Sequence, residues 1–304
     1  MSCSSSSRLG VLGMVARNSL SAIVVFACLL GVEAQAQDTD PNAAPAKPLW
    51  ELGVAAGGTY SPDYPAADEN SLHGLALPYV IYRGDHLRLG KDSIAKGVFF
   101  DNEYAELNVS LAASFNTNSS DNNARRGMPD LDYLGEIGPQ LKIKLGELYG
   151  AKTELQLPVR AVFSTDFSRV DHRGYLFNPR FSCVRQNIFN SGIDMNSSIG
   201  SSLATKKLQE YFYRVEPRYA TATRPAYEAD GGYLGSKITL GLSYGITDRV
   251  RVYAGGQVAY YGGAANEDSP LFRQKVNASI HAGFTWSFFQ SDTRATSDWN
   301  GTDE

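Results

Sequence analysis

Residues 276 to 288 (VNASIHAGFTWSF) place an apolar or aromatic side chain at every even position and a polar or small one at every odd position. Val276, Ala278, Ile280, Ala282, Phe284, Trp286 and Phe288 therefore share one face of a β-strand. Asn277, Ser279, His281, Gly283, Thr285 and Ser287 share the other, because successive strand side chains point to opposite sides. The same alternation recurs along the chain. Trp50, Leu52, Val54, Ala56 and Tyr60 oppose Glu51, Gly53, Ala55, Gly57 and Thr59. Ala105, Leu107, Val109, Leu111, Ala113 and Phe115 oppose Glu106, Asn108, Ser110, Ala112 and Ser114. Ile137, Leu141, Ile143 and Leu145 oppose Gln140, Lys142 and Lys144, and Leu155, Leu157, Val159, Ala161 and Phe163 oppose Glu154, Gln156 and Arg160. Ile238, Leu240, Leu242 and Tyr244 oppose Thr239, Gly241 and Ser243, and Val250, Val252, Ala254, Val258 and Tyr260 oppose Arg251, Tyr253 and Gln257. Weaker strands are expected near 75–83, 86–100, 174–184 and 193–203.

A soluble sandwich or lipocalin-like barrel would give this alternation inside out, so periodicity alone leaves open which face meets water. Three further features favour a membrane barrel. The polar faces carry small residues, aromatics recur at strand ends, and the runs of about 9 to 13 residues suit a tilted membrane strand. Short links at 245–249 and 146–149 alternate with long ones at 116–132, 204–232 and 262–275, as periplasmic turns alternate with outer loops. The expected fold class is all-β: a single antiparallel transmembrane β-barrel of twelve strands, within a range of 10 to 14.

The N-terminus reads as an export signal. Arg8 and Arg17 precede an apolar run from Leu20 to Val32, and Ala34-Gln35-Ala36 supplies a small-residue cleavage pattern. A helix of that run reaches only about 20 Å, short of a hydrocarbon core of roughly 30 Å. The weaker rival is a lipoprotein cut before Cys28, at a site where Phe26 is bulky. The expected organisation is a signal peptide at 1–36, a flexible periplasmic lead-in at 37–48, a barrel at 49–289 and a polar tail at 290–304. The 28 basic residues less Arg8 and Arg17, against 32 acidic residues less Glu33, leave 26 against 31 and a net charge of −5. No basic face is indicated, so nucleic acid is not an expected partner. Cys3 and Cys28 leave with the signal, which strands Cys183 and excludes an intrachain disulfide in the mature chain.

The runs PLWELGVAAGGTYSPDYPAADEN (48–70), LPYVIYRGDHLRL (77–89), YFYRVEPRYATATRPAYEADGGY (211–233) and NEDSPLFRQKVNASIHAGFTWSF (266–288) resemble the MipA/OmpV family of outer-membrane proteins, named after the MltA-interacting protein. The resemblance spans the mature chain and implies a non-enzymatic barrel of the Gram-negative outer membrane. For the namesake it implies a scaffold joining a lytic transglycosylase to a penicillin-binding protein in cell-wall growth. Other members resemble adhesins or surface antigens. Ala66-Ala67 stands where members often have Gly-Ser, which puts the shape of that loop in question. The tail from Gln290 displaces the terminal aromatic of barrel-insertion signals, so the signal would end internally at Phe288 or Phe289.

Little in the chain points to chemistry. His73, His86, His172 and His281 are scattered without metal-ligand spacing or a nucleophile motif, so no catalytic residue, metal or cofactor is expected. His281 and Ser279 share a face of the last strand, and the bland reading is a polar pair facing interior water. Inward charge offers more. Glu106, Lys142, Lys144 and Glu154 lie near short-turn ends and are expected to form a cross-strand network, with Arg160 and Arg251 further along. Such a network either fills the interior or tunes a pore in a passive diffusion channel, the alternative function. Asp63, Tyr64, Asp68, Tyr213, Arg214, Arg224 and Tyr227 are the candidate partner-facing loop residues, since Tyr and Arg anchor recognition surfaces. They serve equally as girdle residues and as ligands for lipopolysaccharide phosphates beside outer-membrane lipid.

Overall fold

A computed structural model describes residues 48–83, 87–90 and 93–293. Residues 1–47 and 294–304, with Cys3, Cys28 and the expected cleavage site, lie outside the described residues, as does His86.

The alternating segments form thirteen strands in one antiparallel sheet: β1 (Trp50–Pro62), β2 (Asn70–Arg83), β3 (Leu87–Gly90), β4 (Ser93–Asp101), β5 (Ala105–Ser114), β6 (Tyr133–Leu148), β7 (Ala151–Thr165), β8 (Val170–Phe177), β9 (Arg180–Ile188), β10 (Ile193–Ala204), β11 (Gly232–Thr247), β12 (Val250–Tyr260) and β13 (Val276–Gln290). They occupy twelve positions. β8 pairs with the half of β7 from Val159 to Thr165 and β9 with the half from Lys152 to Gln156, so the two are one strand interrupted at Asn178-Pro179. Proline cannot donate to a ladder, and the break falls there. The ring closes where β13 pairs with β1, from Glu51 opposite Gln290 to Tyr60 opposite Ile280. Closure removes the free edges that lipid would not tolerate.

The faces are those of a membrane barrel. Large apolar residues on the outward face are exposed, among them Leu240, Ile280, Phe284 and Trp286, while polar residues on the opposite face, among them Glu106, Asn108, Gln140, Arg160 and Ser279, are buried. Trp50, Tyr149, Phe189 and Tyr244 lie exposed at the short-turn end and Tyr60, Phe167, Tyr175 and Tyr260 at the long-loop end, as interfacial girdles do.

Three local expectations are corrected. The run at 86–100 is not one strand but parts of a hairpin, β3 and β4. The run at 174–184 spans the break between β8 and β9. The long link at 204–232 contains a helix, α1 (Lys206–Tyr213), whose Leu208, Phe212 and Tyr213 bury one stripe. Cys183 is disulfide-bonded, whereas a lone thiol was expected on the premise that Cys3 and Cys28 are removed.

Candidate functional site: the loop cap and the charged wall

The long loops do not splay outward. Residues of the β1–β2, β5–β6, β10–β11 and β12–β13 connections pack into one hydrophobic cluster of Tyr64, Ala67, Leu131, Leu208, Phe212, Tyr213, Val215, Ala229 and Leu271. Inward residues from strand tops on several sides of the ring join it: Leu134, Val162, Ala204 and Leu234. The cluster therefore spans the outer mouth as a cap.

Polar contacts lock the cap at its centre. Tyr64 donates to Leu271 O at 3.0 Å and Tyr213 to Pro65 O at 3.0 Å, while Ser269 donates to Tyr213 O at 2.8 Å. The guanidinium of Arg125 is buried and donates to Phe212 O and Pro129 O, each at 3.1 Å, and to Ser119 Oγ at 3.3 Å. It also lies 5.7 Å from the centre of the Tyr64 ring. Asn266 joins three segments, donating to Gln209 Oε1 and Asp230 O and accepting from Tyr227 and the Asp230 N–H. Burial pushes the phenols of Tyr64 and Tyr213 well above their ordinary range and that of Tyr261 up to about 12; burial also lowers the Arg125 guanidinium.

These positions revise the expected partner surface. Tyr64 and Tyr213 are 3% and 0% exposed, so they are core residues of the cap rather than surface anchors in this arrangement. Asp63 is engaged within the cap, accepting from Ser71 at 2.6 Å and Asn122 at 2.7 Å. Arg224 clamps carbonyls, donating to Ala124 O at 2.9 Å and Tyr219 O at 2.8 Å. Asp68 and Arg214 lie at the surface in ion pairs, with Arg273 at 3.2 Å and Glu228 at 3.2 Å, and Tyr227 is half-buried. Aromatic and arginine residues in a long loop carry the same sequence signal whether they anchor a partner or a lid. Sequence reasoning missed Arg125, Asn266 and Asn277; the hint was, for the first two, their place in connections too long to be simple turns and, for Asn277, its place on the polar face of the last strand.

The inward charges are engaged along the wall, and Glu106, Lys142 and Glu154 follow one another across neighbouring strands. Glu106 stands opposite Lys142 in the ladder and accepts from the Asn108 amide. Lys142 lies 4.0 Å from Glu154, which also accepts from Gln156 at 2.9 Å. Lys144 turns to Asp101 at 2.6 Å. Arg160 pairs with Glu136 at 2.9 Å and donates to Ser110 at 3.1 Å, and Arg251 pairs with Asp194 at 2.9 Å. Asp101, Glu136 and Asp194 are partners that sequence reasoning did not name: Glu136 lies on the strand next to that of Arg160, while Asp101 and Asp194 lie two strands away from Lys144 and Arg251. Among the described residues no cluster of His, Cys, Asp and Glu could hold a metal.

Outward apolar stripes, a polar wall and closure of the sheet define an outer-membrane β-barrel. The chain belongs to the family of the MltA-interacting protein MipA, whose family model matches residues 54–288. No curated protein matches it. Among solved structures it is similar to an outer membrane channel from Pseudomonas putida, at 12% identity over 84% of this chain and 100% of that one, with a TM-score of 0.44. It is also similar to outer membrane phospholipase A from Escherichia coli, at 14% identity over 82% and 95% with a TM-score of 0.34, and to the NanC porin, at 10% over 78% and 100% with a TM-score of 0.34. Likeness at these levels says nothing of what the chain does.

Proposed function

We propose that this barrel is a non-enzymatic scaffold of the cell envelope, exported through a cleaved signal peptide, that engages a murein hydrolase and synthase from its periplasmic side. The observation that carries the reading is the cap. A packed lid across one mouth, above a wall where Arg160 and Arg251 are held in ion pairs, suits a rigid platform better than a path for free diffusion. The family description names MltA as the partner of the namesake, and the resemblance implies its class, a lytic transglycosylase. In the mature protein the surfaces within its reach are the lead-in at 37–48, the short turns such as Thr247 to Val250 and Phe189 to Gly192, and the tail from Gln290. Asp68 and Arg214, with the rest of the outer loops, would face lipopolysaccharide instead.

The test is capture of murein enzymes from solubilised envelopes by the tagged mature protein. Capture that disappears when the periplasmic turns are replaced supports the scaffold. Capture unchanged by those replacements argues against it. The diffusion channel is tested in planar bilayers, where the scaffold reading expects no steady conductance. A conductance altered by Lys142→Glu would favour the channel.

A further inference from the structure

One row of the ladder runs across the inward face from β7 to β13. Gln156 stands opposite Arg180, Arg180 opposite Gly200, Gly200 opposite Lys237, Lys237 opposite Ala259, and Ala259 opposite Asn277. The row ends at the cap, because the Asn277 amide holds the first outer loop there. Lys237 therefore reaches inward between two small neighbours, a glycine and an alanine, just beneath the lid. A Cβ built at Gly200 would stand 2.6 Å from the Arg180 Cβ, so the bare position lets the arginine stem close on the backbone that separates it from Lys237. The next inward position toward the loops is Gly235, and the Tyr261 ring fills the place of its missing side chain.

Charge around Lys237 is unbalanced. The ionised groups acting on it are Arg180, Glu136 and Arg160, two cations against one acid. That acid is already engaged, since Glu136 lies 2.9 Å from Arg160. Glu154, one inward position from Gln156 toward the turns, serves Lys142 at 4.0 Å and the Gln156 amide at 2.9 Å. Arg180 is anchored on the neutral side-chain oxygen of Gln156 at 2.7 Å. A guanidinium stays charged at any pH a protein meets, so the lysine faces a standing positive potential. Like charges side by side in a sheet oppose one another, the more so where the surroundings are of low dielectric. An anion between them reverses the sign of that interaction. Room for one is present: Lys237, Arg180, Ser198, Thr239 and Gln257 all point inward and are only half-buried.

We infer that the interior wall beneath the cap binds a small tetrahedral oxyanion, with Lys237 as its principal charge and Arg180 and the hydroxyls of Ser198 and Thr239 as neighbouring donors. The class of occupant follows from the donors. They come from three adjacent strands, β9, β10 and β11, and an ion of the phosphate kind presents acceptors in several directions at once. Ser198 stands opposite Thr239 in the row next to Lys237 on the turn side, so both hydroxyls border the same space. Hydrogen bonds between an ammonium group and an anionic oxygen belong to the stronger, charge-assisted class. The inference goes beyond the scaffold reading, and a result for one does not decide the other.

The experiment titrates inorganic phosphate into the folded protein in maltoside micelles, near neutral pH and without competing oxyanions, and follows the heat of binding. A saturable site is expected. Lys237→Met, checked for folding by heat-modifiable migration in gels, should weaken it about tenfold or more, the loss expected of one charge-assisted hydrogen bond. Lys207→Met, at an exposed lysine of α1, should leave it unchanged. The absence of saturable binding to the unaltered protein overturns the inference. Affinity unchanged in folded Lys237→Met, or lowered equally by Lys207→Met, also overturns it, since the ion then sits on surface cations. If Lys237→Met does not fold, crystals of the unaltered protein soaked in selenate decide. An anomalous peak within hydrogen-bond reach of Lys237 Nζ supports the site; no peak there, or peaks elsewhere that mark an adventitious ion only, overturn it.

Discussion

The side-chain amide of Asn277 clasps the backbone of Ala66, accepting its N–H at 2.9 Å while donating to the carbonyl of the next residue, Ala67, at 2.8 Å. The contact joins the inward face of β13 to the tip of the first outer loop, 211 residues away. It fixes the loop in the mouth. Replacing Asn277 by Ala leaves a buried donor and a buried acceptor unsatisfied, a local cost of about 1–3 kcal/mol. Hydrogen exchange of the amides at 63–69 should accelerate by one to two orders of magnitude, while the strand amides of β13 stay protected. Equal protection in both proteins would show that the clasp contributes nothing.

Ala66 itself has φ of 63°, in the left-handed region, where a Cβ is strained. The question raised by Ala66-Ala67 in place of Gly-Ser is thereby answered: the chain takes the glycine-like turn with alanine. Ala66→Gly should relieve strain and leave stability unchanged or raised by up to about 1 kcal/mol, since the strain removed competes with the greater unfolded-state freedom of glycine. Lowered cap protection in the variant would contradict this.

Arg125 is the buried cation of the cap, held by two carbonyls and a hydroxyl rather than by a carboxylate. Lysine cannot reproduce that planar fork, so Arg125→Lys should damage the cap nearly as much as Arg125→Met. Losing these charge-assisted bonds costs about 3 kcal/mol or more. Limited proteolysis from outside intact cells should then cut between β5 and β6 or between β10 and β11, where the unaltered protein resists. Resistance in both variants would refute the role assigned to Arg125.

Alkali should loosen the cap. The phenol of Tyr261 is raised by burial from 10.0 to about 12, and those of Tyr64 and Tyr213 are raised in the same direction. For an acid whose folded pKa is raised, the stabilisation is complete below the unfolded value near 10 and declines as pH climbs toward the folded value. Tyrosinate absorbance should therefore appear in two stages, exposed phenols first and cap phenols with the onset of protease sensitivity above about pH 10. Single-stage titration near 10 would mean that the cap tyrosines are not buried.

Much of the barrel was legible because a strand in a membrane wall writes its two environments into alternate residues. In β13, β5 and β7 the outward and inward sets agree with the observed register residue for residue. Where that alternation weakens, the reading lost its bounds. β2, with Leu75 and Leu77 among its inward residues, was expected only from 75 and begins at Asn70, the segment around Asn178-Pro179 is split, and the expected strand at 86–100 folds back as a hairpin.

The sequence by itself pointed to an antiparallel membrane barrel, the residues of its oily stripes, a strand count between 10 and 14 and the family to which the chain belongs. These follow from local periodicity and from motifs contiguous in the chain. Only the tertiary structure decided what the long loops do and which charges meet. Tyr213 and Pro65 are 148 residues apart, and Arg251 and Asp194 are 57 apart on strands with β11 between them. A loop residue bears no periodic mark of the partner that will bury it. Its role depends on where distant strands bring its ends, a property of the closed sheet rather than of any stretch of chain.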